Sequence, residues 1–445
     1  MYYIIETQEQ LEKFSKYDLR ECYVDVVTHN PNYHNAISPL SLVYIRPVKS
    51  RAGFILPIDH SESLSLTYES VDNLIRNLIG YIYAIDAKRL RYYFGRRRHV
   101  YCLKTALYLY NNTQVVESTF DTQAHKFLYQ RYSNQSDINR VVPIAKHYEK
   151  LEAIVDHFPD VRKMLTQPAY NLYGKQAVDV FYSIESQGIR VAPGGIEEHF
   201  NIKHSEASLD GDKVFTSYNL YTATGRPSNA FNGLNFAALN KGDKSREVFI
   251  PSNDYFVEFD YSSYHLRILC ELMEYTFDDS DIHRHLAKFY FNREEITDEE
   301  YVESKKMTFR LLYTESNLEE LDKIPFFVKV REFKQKMWQM YKKDGYIQSP
   351  ISGRLIRGVE IKTQILPYIL QNYETERNIQ VLSRIIKYLK DKKSSLILYC
   401  YDSFLIDYCK EDGKATLNAI SDILEEGGYK TSCKYGKNYH DMKTI

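Results

Sequence analysis

The chain has 445 residues, 44% of them hydrophobic, which is enough for two or three packed domains. Its 58 lysines and arginines against 59 aspartates and glutamates leave a formal net charge of −1, which excludes binding to a polyanion through bulk positive charge; any nucleic acid must be met by local patches. Six cysteines without paired metal spacing fit free thiols in a reducing compartment, and the absence of a signal peptide or of an apolar run near ~18 residues predicts a cytoplasmic protein with no membrane partner.

In chain order, Glu21-Cys22-Tyr23-Val24-Asp25-Val26-Val27-Thr28, Ser41-Leu42-Val43-Tyr44-Ile45 and Gly53-Phe54-Ile55-Leu56-Pro57 are rich in β-branched and aromatic residues and predict strands. Asp25 reads as a turn residue at a strand end, because a lone carboxylate rarely builds a metal site. The densest positive run, Lys88 to His99, interleaves cations with rings, a pattern that suits single-stranded nucleic acid; a solvated surface loop is the equal alternative. Arg96, Arg97 and Arg98 are its candidate DNA contacts. A boundary near Thr166-Gln167-Pro168 closes a first unit, 1–165. Residues 166–215, with Pro193-Gly194-Gly195 and Asp210-Gly211-Asp212, read as a turn-rich connector, and 216–445 form the last unit.

Two aspartates in that unit stand out. Tyr255-Phe256-Val257-Glu258-Phe259 predicts a strand ending at Asp260, with helical spacing from Leu266 to Met273 beyond it. Leu396 to Tyr401, then Asp402-Ser403, then Phe404 to Tyr408 predict a hairpin turning at Asp-Ser. Taken singly, each Asp is explained by turn preference; if the two strands are neighbours, the carboxylates lie side by side, where divalent cations relieve their repulsion. Lys305, Phe309 and Tyr313 are four apart and share a helical face, a stripe that by spacing alone is more often core packing.

The order of the motifs breaks the tie. Tyr221-Thr222-Ala223-Thr224-Gly225-Arg226-Pro227-Ser228, Ser245 to Pro251, Asp260 to Arg267, Asp281-Ile282-His283, the Lys305/Phe309/Tyr313 triplet, Ser352-Gly353-Arg354 with Gln371, and Tyr401-Asp402-Ser403 resemble, in that order, the motifs of family A DNA polymerases. The resemblance covers roughly residues 175 to 445, including Ile184-Glu185-Ser186-Gln187-Gly188-Ile189. It implies an α/β (α+β) multidomain fold: an RNase H-like 3′-5′ exonuclease-type domain, then an antiparallel palm sheet with helical fingers. It also implies nucleotidyl transfer to a primer 3′ end, with two Mg²⁺ held by Asp260 and Asp402 and by the carbonyl of Tyr261. On the same basis, His265, Lys305, Phe309 and Tyr313 meet the incoming deoxynucleoside triphosphate, and Arg226, Arg267, Arg354 and Gln371 track the primer-template DNA.

The departures from the family pattern are equally specific. Where the family has a glutamate that packs under the sugar and excludes a 2′-hydroxyl, this chain has His265, so a polymerase accepting ribonucleotides is one alternative. A catalytically silent nucleic-acid-binding subunit is the other. Ser403 follows the second aspartate where the family has glutamate, and Tyr301 stands where it has arginine. Val27 occupies the place of the exonuclease's metal-binding glutamate, and no acid lies between Asp86 and Glu117, so that metal site cannot form and proofreading is expected to be absent. The short stretch between Gly188 and Thr222 leaves no room for a long helical thumb, which predicts a processivity or replisome partner in its place. Such a reduced form suits a bacteriophage by resemblance alone.

Overall fold

The computed structural model describes residues 1–97, 99–113, 115–133, 135–158, 163, 165–200, 208–229, 234–277, 281–313 and 324–444. Arg98, one of the candidate DNA contacts, lies outside them.

The N-terminal half is built on a six-stranded sheet of β1 (Tyr2–Ile4), β2 (Glu21–Thr28), β3 (Leu40–Pro47), β4 (Gly53–Pro57), β5 (Tyr81–Ala84) and β6 (Val100–Cys102), in the order β1-β4-β3-β2-β5-β6. Strands β2, β3 and β4 are antiparallel, whereas β5 and β6 run parallel to β2. A parallel neighbour needs a crossover, and helix α1 (Ala87–Phe94) supplies it between β5 and β6. Helices α2 (Leu103–Asn111) and α3 (Ile144–Asp156) complete this layer, and β3 and β4 are apolar and buried along nearly their whole length.

Two readings are corrected here. Asp25 is not at a strand end: it sits inside β2, paired with Tyr44, and is 1% exposed. Burying a carboxylate in mid-strand is tolerable because Arg89 of α1 bonds it at 2.7 Å. The positive run is not a loop either, since Lys88 to Phe94 form α1 and their cations turn inward to acids of the same half and of the helix α4 (Val178–Glu185).

The C-terminal half is a five-stranded, wholly antiparallel sheet flanked by helices. In chain order it contains β7 (Tyr255–Tyr261), α5 (Tyr264–Met273), α6 (Ile282–Phe291), α7 (Asp298–Tyr313), α8 (Pro325–Asp344), α9 (Ile365–Leu389), β8 (Ser395–Cys400), β9 (Ser403–Tyr408), α10 (Lys414–Glu425), β10 (Thr431–Gly436) and β11 (Lys443–Thr444). The sheet order is β8-β9-β7-β10-β11. Alternation along β7 sends Val257, Phe259 and Tyr261 into the main core, leaving Glu258 and Asp260 on the other face. Between Gly188 and Thr222 the described residues form two-residue strands and the short helix Gly195–His199.

The halves share one apolar core, in which Leu42 and Tyr44 belong to the same cluster as Phe259, Leu382 and Ile385. A polar joint reinforces it. Glu185, buried at the end of α4, accepts from Lys88 and Tyr92 of α1 and, at 2.7 Å, from the backbone N–H of Tyr218. The 25-residue helix α9 is unusual in burying Asn372, Glu374, Glu376 and Asn378 as well as its leucines and isoleucines, so it runs through the middle of the molecule and organises loops by hydrogen bonds.

Candidate active site

Strand β7 lies between β9 and β10, with Asp260 directly opposite Ser403 on one side and Ser432 on the other. The N–H of Tyr261 donates to the carbonyl of Asp402 at 3.0 Å, which places the two aspartates at adjoining strand ends, as their sequence context predicts. The β8–β9 turn is formed by Tyr401-Asp402 rather than by Asp402-Ser403, because Ser403 is already paired in β9. Tyr401 has φ +63°, a left-handed conformation rare for an aromatic residue. Two contacts hold it there: Asn378 Nδ2 donates to its carbonyl at 2.8 Å, and the Arg226 guanidinium lies 3.7 Å from its ring centroid.

A third carboxylate faces the pair. Glu258, two residues before Asp260 and so on the same face of β7, accepts from Ser403 Oγ at 2.8 Å and from the Tyr439 hydroxyl at 3.3 Å. Burial, then Asp402, then Glu258 push the Asp260 carboxyl up to about 6, and burial followed by Glu374 raises that of Asp402. Among the described residues neither aspartate has an ion-pair partner. The donors are all oxygen and mutually repelling, which fits a hard divalent cation such as Mg²⁺.

The nucleotide-side stripe lies on α7. Its buried line is Ser304, Thr308 and Leu312, so Lys305, Phe309 and Tyr313 stand one residue round from it, with Tyr313 half-buried against the edge of the core. The rings of Phe309 and Tyr313 are parallel, with an interplanar angle of 7°, and Phe309 is 42% exposed. Lys305 forms no ion pair among the described residues; its ammonium lies 4.3 Å from the Tyr301 ring, the residue that replaces an arginine. Tyr313 OH and His265 Nδ1 are 2.7 Å apart, and His265 Nε2 is 2.6 Å from Glu374 Oε2.

The remaining predicted contacts fall at different depths. Arg226 bonds Glu374 through Nε at 2.9 Å. The turn before it depends on Gly225, whose φ of +83° and closeness to Arg354, with Nη1 2.3 Å from where a Cβ would stand, admit no side chain. Arg354 itself is 2% exposed and donates to the carbonyl of Ala223 at 3.0 Å, so it supports that turn from beneath. Arg267 is half-buried and donates to the carbonyl of Ser262 at 3.1 Å; Gln371 is half-buried on α9. The Tyr261 ring turns into the core, stacked 4.1 Å from Tyr264, leaving only its backbone toward the aspartates. Arg97 bonds Asp72 at 3.2 Å and Arg96 bonds Asp179 at 2.8 Å, although the Arg96 side chain is 75% exposed.

In the N-terminal half a cavity of about 640 Å³ contains Asp25, Asp86, Glu117 and Asp121, each already neutralised from within the chain. Arg89 bonds Asp25 and Glu117, Lys104 bonds Glu117 at 2.6 Å and Asp86 at 3.3 Å, and Lys150 bonds Asp121 at 2.6 Å. Val27 lines the same cavity. Glu258, Glu374 and Asn378 were not singled out in the sequence. Glu258 was legible from the two-residue period of β7, whereas the other two look like solvated polar residues until α9 is known to be central.

Residues 201–365 match the profile of DNA polymerase family A, a segment that contains Asp260, His265 and the α7 stripe. The solved POL domain of Pol1 from M. smegmatis, in complex with DNA primer-template and dNTP, superposes with a TM-score of 0.72 at 15% sequence identity, covering 99% of this chain and 100% of that one. No curated protein matches the sequence. The matched segment is similar to DNA polymerase family A, and the fold as a whole is that of the solved polymerase domain.

Proposed function

We propose that this chain extends a primer 3′ end under template direction at Asp260 and Asp402, without proofreading. The observation that carries the reading is a contrast between the two acidic clusters. The carboxylates of the N-terminal cavity are all ion-paired within the protein, whereas Asp260 and Asp402 form no ion pair among the described residues.

Asp260, Asp402 and the carbonyl of Tyr261 would hold two Mg²⁺, with Glu258 behind them. Such ions activate the attacking hydroxyl and neutralise the leaving pyrophosphate. The chain's own residues do the positioning on which phosphoryl transfer depends. Lys305 meets the triphosphate, Phe309 and Tyr313 form a flat wall for the nascent base pair, and His265 closes the sugar side. Arg226, Arg267, Gln371 and the turn supported by Arg354 follow the DNA backbone, and Arg96 with its neighbours offers a further contact. With short elements among the described residues between Gly188 and Thr222, grip on the duplex is expected to be weak. A processivity or replisome partner would complete it.

Primer extension with Mg²⁺, offering deoxy- or ribonucleotides, tests the reading beside an Asp402→Asn control. The expected result is deoxynucleotide addition abolished by that substitution, with no shortening of a mismatched 3′ end. Equal use of ribonucleotides would establish the alternative suggested by His265. No extension at all would leave a nucleic-acid-binding subunit.

A further inference from the structure

We infer that Glu374 is the positioning residue that joins the nucleotide side of the site to the catalytic hairpin, acting through His265 and Tyr313 in one direction and through Arg226 and Tyr401 in the other. The inference rests on the polymerase reading above and deepens it.

Glu374 projects from the central helix α9 and is 1% exposed. Its two oxygens are divided between two arms. Oε2 lies 2.6 Å from His265 Nε2, and Oε1 accepts from Arg226 Nε at 2.9 Å, with Arg226 Nη2 3.4 Å from Oε2. A carboxylate only accepts, so His265 must carry its proton on Nε2; in the neutral ring Nδ1 is then an acceptor, and the Tyr313 hydroxyl donates to it at 2.7 Å. Glu374 thereby fixes both the tautomer of His265 and the direction of the Tyr313 hydroxyl. Tyr313 is the last residue of α7 and lies parallel to Phe309, so this arm sets the angle of the wall that a nucleotide meets.

The second arm reaches Asp402. Arg226, held by Glu374, covers the ring of Tyr401 at 3.7 Å, and Tyr401 is the left-handed residue immediately before Asp402. Four separate pieces of chain, namely α5, α7, the Thr222–Arg226 turn and the β8–β9 hairpin, thus converge on one buried carboxylate. A glutamine there offers a single carbonyl oxygen and satisfies one arm; an alanine satisfies neither.

The test is steady-state single-nucleotide incorporation by the full chain and by Glu374→Gln, Glu374→Ala, Tyr313→Phe and the Tyr313→Phe/Glu374→Gln double variant. The expected result is a KM for the nucleotide raised about tenfold by Glu374→Ala and less by Glu374→Gln, consistent with loss of a charge-assisted hydrogen bond. The KM for primer-template is expected to rise less, because Glu374 reaches the DNA side only through Arg226. Because Tyr313 and Glu374 act in one chain of bonds, Tyr313→Phe adds less than about twofold to Glu374→Gln, the mark of coupled groups. A merely structural carboxylate would lower kcat through the active fraction and leave the nucleotide KM alone, and that result, or full additivity, overturns the assignment. If Glu374→Ala does not fold, the glutamine and phenylalanine variants decide it. No incorporation by the wild-type chain overturns the polymerase reading itself, and the assignment with it.

Discussion

Single residues carry much of the chemistry that distinguishes the two halves. Buried histidines cluster in the first: burial pushes His147 down to about 3 and His34 down to about 4, while carbonyls of Asn139 and Thr216 accept from their rings. A ring that refuses a proton when folded but accepts one near 6.5 when unfolded stabilises the fold above that pH and loses the contribution as pH falls toward 3. At pH 5 this amounts to about 2 kcal/mol for His147. His147→Gln is therefore expected to flatten the acid limb of a plot of unfolding midpoint against pH, an effect separable from Asp25, which burial raises to about 6 and which acts in the opposite sense over the range up to that pH. Gly225→Ala should cost about 2 kcal/mol in a denaturant titration, because the added methyl meets Arg354 at a positive φ. Asp260 and Asp402 were legible as strand-end carboxylates, and the apolar runs before them made their adjacency a reasonable expectation. Glu374 was not legible, since its meaning comes from two partners distant in sequence, His265 and Arg226.

At the scale of elements, α7 shows how a helical stripe can mislead. Spacing placed Lys305, Phe309 and Tyr313 on one face and favoured the core for it, but Ser304, Thr308 and Leu312 are the buried line, which leaves Phe309 exposed and Tyr313 at the core's edge. Small side chains let α7 pack closely against α6, where Ser304 Oγ donates to the carbonyl of His283 at 3.3 Å. The ammonium of Lys305 is thereby left available for phosphate. Lys305→Ala is expected to raise the nucleotide KM by about tenfold or more while leaving primer-template affinity unchanged, which steady-state kinetics and a salt titration of DNA binding would show together. The α1 run carries a similar lesson. Cations read as a nucleic-acid stripe are mostly bound to acids of the protein, and only knowledge of the fold reveals those partners.

The whole molecule is a mixed α/β framework in which two sheets share one core and a buried ionic joint. Glu185 accepts from both Lys88 and the backbone of Tyr218, so Lys88→Met leaves a buried carboxylate without its cation. Loss of about 3 kcal/mol is expected, measurable as a lowered denaturation midpoint. The sheet class of each half followed from the family resemblance, and strand patterns supplied only the strand positions and the hairpin at Asp402. The shared core did not, because packing between distant segments has no local signature. Both halves hold clusters of carboxylates, yet among the described residues Asp260 and Asp402 form no ion pair, and the central claim is that synthesis happens there. The most direct measurement is single-turnover extension of one primer-template, offering each deoxynucleotide separately with Mg²⁺ to the intact chain and to Asp402→Asn. The account predicts addition of the complementary nucleotide alone, reduced at least about a thousandfold by the substitution, the scale expected when a metal-binding carboxylate is lost from a phosphoryl-transfer site. Equal extension by both proteins, or none by the intact chain, would contradict it.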